Sequence, residues 1–98
     1  MFDFSEITSF QWDRGNLEKS QQKHGVGLKE TEEIFLDENV LFVEDVKHSQ
    51  KEQRYIAIGQ TAQKVVLLVV FTFRGKRIRV ISARHANKKE RSEYEKTD

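Results

Sequence analysis

Seven consecutive residues, Val65 to Phe71, are apolar at every position. A run this short cannot cross a bilayer, and with no polar residue on either side it fits a strand covered on both faces at the centre of a sheet. The apolar run sits inside a longer expected strand, Lys64 to Arg74, followed by a tight link at Arg74-Gly75-Lys76. Gly75 can take the positive φ that a two-residue hairpin needs. Lys76 to Ala83 then returns as the partner strand. Upstream, Val40 to Glu44 and Arg54 to Gly59 read as two more strands, joined by the polar segment of residues 45–53. Sequential strands with short links predict antiparallel pairing.

The alternation in Phe10-Gln11-Trp12 predicts a short strand with both aromatics on one face, which Phe2 and Phe4 would extend. Asp13 stands where an N-cap belongs, ahead of a helix from Arg14 to His24, and Gly25 is placed to end that helix in a left-handed C-cap. Gly27 opens a second helix, Leu28 to about Leu36, with Leu28, Thr31 and Phe35 on one stripe. Ala86 to Lys96 closes the chain as a third helix, with Ala86, Glu90 and Tyr94 on one side. Phe10, Trp12, Phe35 and Tyr94 read as core. The expected class is α+β, an antiparallel sheet packed against two N-terminal helices and a C-terminal helix. The 98 residues suffice for one domain, taken as 1–98.

The chain contains no cysteine, so neither a disulfide framework nor thiolate metal ligation holds it together, and a reducing cytoplasm is the expected location. The N-terminus lacks the basic region of a signal peptide and no segment suits a membrane. A formal net charge of +1 conceals an asymmetry: residues 1–53 carry six Lys/Arg against twelve Asp/Glu, and residues 54–98 carry eleven against four. From Arg54 to Lys89 there are nine Lys/Arg and no acidic residue at all. Whatever compensates those charges comes from elsewhere in the fold, from solvent or from a ligand, and that half of the chain is suited to an anion.

No phosphate-binding glycine loop, CxxC, HExxH or GxSxG occurs, and His24, His48 and His85 lack ligand spacing, so neither a metal site nor a cofactor is expected. What remains is arginines near a few hydroxyls and one imidazole at a helix end, the inventory of metal-free RNA cleavage. There the ribose 2′-OH attacks the adjacent phosphodiester, and the enzyme moves protons and stabilises the phosphorane. Arginine suits the charge and histidine the proton transfers. In the strand carrying RIRVISAR, an unbroken alternation would turn Ile78, Val80, Ser82 and Arg84 one way and Arg79, Ile81 and Ala83 the other. Two readings of the arginines stand: contact with a phosphate in a cleft, or pairing with the acidic helices of residues 13–38. His24 likewise reads either as a packed histidine on the stripe of Leu17 or as an acid or phosphate contact favoured by the helix C-terminus.

The ordered motifs FQWD (10–13), KHGV (23–26), IFLD (34–37), RYIAIG (54–59), VVFTFRGKRIRVISAR (69–84) and ERSEY (90–94) resemble the BrnT family of toxins from bacterial type II toxin-antitoxin systems. The resemblance covers about residues 10–95. It implies a RelE-like fold and a ribonuclease that inhibits translation. It also implies a cognate ribbon-helix-helix antitoxin that covers the toxin, in a hetero-oligomer that binds its own promoter DNA. The family's basic positions fall on Lys23, His24, Arg54, Arg79 and Arg84, and Ser82 is the serine of the same strand motif. The catalytic residues of RelE-like nucleases differ, so the resemblance does not assign roles; the roles expected here are His24 as acid or base, Arg54, Arg79 and Arg84 on the phosphate, and Lys23 and Ser82 as substrate contacts. Gly27, Leu28 and Thr31 depart from the residues common in the family's second helix. Two rival readings are a non-catalytic RNA- or ribosome-binding module, and a structural half of an obligate complex whose basic half docks an acidic antitoxin.

Overall fold

The computed structural model describes residues 9–12, 25–45, 47 and 52–96. Five strands form one sheet: β1 (Ser9–Trp12), β2 (Leu41–Glu44), β3 (Tyr55–Gln60), β4 (Val66–Arg74) and β5 (Arg77–His85), in the spatial order β1-β5-β4-β3-β2. Among the described residues there are two α-helices, α1 (Leu28–Glu33), which tightens into a 3-10 helix at Ile34–Leu36, and α2 (Lys88–Glu95). The expected helix from Arg14 to His24 lies outside the described residues. Gly25, next to it, does adopt the left-handed conformation, at φ 65°.

β4 is the middle strand, and the reason is its composition. Leu67, Val69 and Phe71 are buried on one face and Leu68 on the other, so each side of the strand needs a covering layer. Helix α1 and the 3-10 helix supply one layer. Ile34 packs with Ala57, Leu67, Val69, Phe71, Ile78, Val80 and Ala83, and Phe10, Trp12, Phe35 and Phe42 close around them. Gly59 lets the layers approach closely, since a Cβ there would stand 3.0 Å from the Cβ of Ile34. Helix α2 supplies the other layer, where Tyr94 packs with Ile58 and Leu68. Asn87 caps α2 in a reciprocal capping box with Glu90: each side chain accepts from the other's backbone N–H, both at 2.8 Å.

The sheet is mixed, which corrects the antiparallel expectation. The links among β2, β3, β4 and β5 do give antiparallel neighbours, and Gly75 at φ 61° begins the two-residue turn between β4 and β5. β1, however, lies parallel to β5, with Phe10 opposite Ile78 and Trp12 opposite Val80. The rule of short links says nothing about strands separated by most of the chain, and β1 adds where its aromatics can join the α1-side core. Phe10 and Trp12 share one face as expected, and Trp12 Nε1 donates to Glu32 Oε2 at 3.1 Å. The stripe of α1 also differs: Thr31 and Ile34 are fully buried whereas Leu28 is exposed. Thr31 tolerates burial because its hydroxyl donates to the carbonyl of Gly27 at 2.9 Å.

Candidate active site

The pairing of β4 with β5 is interrupted once. Val70 faces Ser82 and Phe71 faces Val80, so Ile81 is an extra residue in β5, a β-bulge. One extra residue reverses the alternation of everything after it. Ile78, Val80 and Ala83 therefore all turn into the α1-side core. Arg79, paired with Thr72, shares the opposite face with Ser82 and Arg84. This corrects the unbroken alternation, which put Arg79 and Arg84 on opposite faces. The bulge satisfies two demands that simple alternation sets against each other, since Ala83 is buried while the cations on either side of it stay out of the core.

Beside α2, this face opens into a cleft of about 350 Å³. Arg54, Ser82 and Arg84 line it together with Asp45 and Glu90, and its apolar surface comes from Ile56, Leu68, Val70 and Ile81. Arg54 reaches it because Tyr55, the next residue, turns to the other face against Phe71, and because the backbone N–H of Asp45 donates to the carbonyl of Arg54 at 2.9 Å. Three of the expected site residues thus meet in one cleft, and Arg79 lies on the same face two pairs nearer the hairpin than Ser82. Lys23 and His24 lie outside the described residues, as does His48. Gly25, the described neighbour of His24, lines a different pocket of about 180 Å³ on the α1 side, with Val26, Glu30 and His85. Alternation beyond the bulge puts Arg84 on the α2 side of the sheet and His85 on the α1 side.

Glu90 was not among the expected site residues. Arg84 Nη1 donates to Glu90 Oε1 at 2.8 Å and Nη2 to Oε2 at 2.7 Å, a bidentate pair with its carboxylate end mostly covered. The hydrogen bond to Glu90 raises the pKa of Arg84 above its ordinary value. The reciprocal bond from Arg84, with help from the Asn87 N–H, outweighs burial and holds the carboxyl of Glu90 below the usual carboxylate range. The basic stretch is therefore partly neutralised from its own flanks, by Glu90 for Arg84 and by Glu52 for Arg74 at 3.3 Å. Among the described residues Arg84 pairs with Glu90 and not with a carboxylate of α1, which covers the other face of the sheet. The sequence did hold a signal for Glu90: Asn87-x-x-Glu90 is a capping-box spacing, which places that carboxylate at the mouth of α2 and within reach of the end of β5.

A second carboxylate fixes the far end of α2. Asp37 accepts hydrogen bonds from the Tyr94 hydroxyl at 2.5 Å and the Gln60 N–H at 2.8 Å on Oδ2, and from the Asn39 N–H at 3.0 Å on Oδ1. Burial pushes its pKa up, but these three donors together outweigh burial and hold it lowered. Both carboxylates thus have folded pKa values below their ordinary values of about 4. Their stabilising contribution is complete above that range and is lost as pH falls through the lower folded values. The thermal midpoint of the chain is expected to drop from about pH 5 downward, and Asp37→Asn together with Glu90→Gln should flatten that dependence. An equally steep acid decline in the double variant would show that other groups govern it.

Comparison with known proteins now identifies the chain. A family model described as the ribonuclease toxin BrnT of type II toxin-antitoxin systems matches residues 12–90. The chain belongs to the BrnT family. The matched span runs from β1 through Glu90 and includes the cleft. No curated protein sequence matches the chain. Among solved structures, the crystal structure of the Brucella abortus ribonuclease toxin BrnT superposes with a TM-score of 0.64 at 23% identity, covering 83% of this chain and 99% of that one. The fold is thus the α+β fold of that BrnT. Family membership makes this chain a ribonuclease toxin, with an RNA substrate and an antitoxin partner. Among the described residues no helix is long and apolar enough to cross a membrane, and no three His, Asp or Glu side chains converge as metal ligands.

Proposed function

We propose that this toxin cuts RNA without a metal ion, by attack of a ribose 2′-oxygen on the adjacent phosphorus, in the cleft between β5 and α2. The new P–O2′ bond forms as the P–O5′ bond breaks, leaving a 2′,3′-cyclic phosphate and a 5′-hydroxyl that has taken up a proton. Arg54, Arg79 and Arg84 bind the phosphate and offset the charge that grows on its non-bridging oxygens. Ser82 and Lys23 contact the substrate, and His24 transfers a proton. The apolar surface of Ile56, Val70 and Ile81 receives the sugar or base beside that phosphate.

The observation that carries this reading is the meeting of Arg54, Ser82 and Arg84 in one cleft, with Arg79 on the same face. Guanidinium groups around a shallow apolar surface match a single-stranded nucleic acid, which presents phosphates and flat bases together. Cleavage inhibits translation in the cytoplasm, and a ribbon-helix-helix antitoxin covers the toxin in a complex that represses its own promoter. The architecture is RelE-like.

Incubating the purified full chain with RNA in excess EDTA tests the chemistry directly. Cleavage should persist, the new ends should be cyclic phosphate and 5′-hydroxyl, and a 2′-deoxy substitution at the cut site should abolish it. Loss of cleavage on chelation, or cutting of the deoxy substrate, would refute the metal-free 2′-oxygen mechanism. His24→Ala should lower the rate by roughly 10²-fold if His24 transfers the proton. Unchanged cleavage in that variant removes His24 from the mechanism. Salt-sensitive RNA binding with the RNA left intact would instead support a non-catalytic binding module.

A further inference from the structure

A guanidinium carries five N–H groups, one on Nε and two on each terminal nitrogen. In Arg84 both N–H groups of Nη1 are engaged, one by Glu90 Oε1 at 2.8 Å and one by the His85 carbonyl at 3.1 Å, and one of Nη2 by Glu90 Oε2 at 2.7 Å. The other N–H of Nη2 and that of Nε form the side-on edge of the guanidinium, a second fork of the same bidentate geometry. Glu90 is itself held: its Oε1 accepts from the Asn87 N–H, and its backbone N–H donates to Asn87 Oδ1, both at 2.8 Å. The carboxylate is therefore ordered by the helix cap before it meets Arg84.

We propose that Glu90 is a positioning residue of the nuclease, gripping Arg84 end-on so that the side-on edge of its guanidinium is presented to the RNA phosphate. The inference rests on the reading of Arg84 as a phosphate contact. An unrestrained arginine loses rotamer freedom when it binds, and a guanidinium already fixed by its neighbour has lost that freedom in the folded protein. The negative charge of Glu90 opposes phosphate binding, so geometry and charge pull in opposite directions. Geometry prevails here because the cap orders Glu90 without help from Arg84, while Arg54 and Arg79 bring two further positive charges to this face against the one further carboxylate lining the cleft, Asp45. The capping box of α2 thereby joins helix folding to the arrangement of the cleft.

A double-mutant cycle on the full chain separates this role from a purely structural one. Cleavage of single-stranded RNA is measured as kcat/KM, with the thermal midpoint of each variant. Glu90→Ala should lower kcat/KM by about 20-fold, and Glu90→Gln, which keeps one hydrogen bond to Arg84 and the cap acceptor, by less. In the Arg84→Ala background, Glu90→Ala should change kcat/KM by less than about twofold, because its target is gone. Asp37→Asn is the control: it weakens the hold on the far end of α2 and lowers the midpoint while the capping box and the Arg84 pair remain, and kcat/KM should stay near that of the parent. Faster cleavage in Glu90→Ala or Glu90→Gln would overturn the proposal and make Glu90 a competitor of the phosphate. A full 20-fold loss in the Arg84→Ala background would also overturn it, by showing that Glu90 acts through the fold. Undiminished cleavage in Arg84→Ala alone would refute the phosphate contact itself, a failure distinct from the other two.

Discussion

Arg84→Ala is expected to lower RNA cleavage by roughly 10²- to 10³-fold, the loss seen when one preorganised donor to a developing oxyanion is removed. Arg84 projects from β5 after the bulge at Ile81, into the cleft that also holds Arg54 and Ser82. Arg84→Lys keeps the charge but not the planar fork, so it should recover only part of the rate. Removing Arg84 also strips Glu90 of its bidentate partner, and α2 will be less firmly held. The thermal midpoint must therefore be read beside the rate, and cleavage compared at a temperature where both proteins are folded. A folded Arg84→Ala protein that cleaves at the parental rate would exclude this side chain from the reaction.

The second large effect is on stability. Phe71→Ala should cost about 3–5 kcal/mol, against a total of about 5–15 kcal/mol for a typical native protein. Phe71 is fully buried in the middle strand and meets four aromatic rings. Phe35, Phe42 and Phe73 approach it edge-on, at centroid distances of 5.2, 6.0 and 5.6 Å, and Tyr55 lies tilted at 5.7 Å. These rings come from the 3-10 helix, β2, β3 and β4 itself, so a cavity at Phe71 loosens several elements at once. Equilibrium urea unfolding measures the loss as a reduced midpoint with the slope little changed. Phe71→Leu, which keeps most of the volume, should cost about half as much or less. A Phe71→Ala midpoint close to that of the parent would mean that the α1-side core repacks freely.

Much of the sheet was legible because strand signals are local. A run apolar at every position can satisfy both faces only in the middle of a sheet, and Val65 to Phe71 led directly to β4. The hairpin at Gly75 followed from the one residue that adopts positive φ without steric cost. Phe10 and Trp12 shared a face as a period of two requires. The parallel pairing of β1 was not legible, since nothing near Ser9 records which edge it joins some seventy residues later.

Composition and order by themselves determined that this chain carries an acid-free cationic half, lacks thiolate ligands and has a strand order suited to α+β packing. Its motifs carried the resemblance to BrnT, which the family match then established. The tertiary structure alone decided how the charges are arranged. The bulge at Ile81 is a property of two strands in register, and it put Arg79, Ser82 and Arg84 on one face. Arg84 lies in β5 and Glu90 in α2, and their pairing depends on the angle at which the helix leaves the strand. Charge is written in single residues, but which charges meet is settled by the backbone between them.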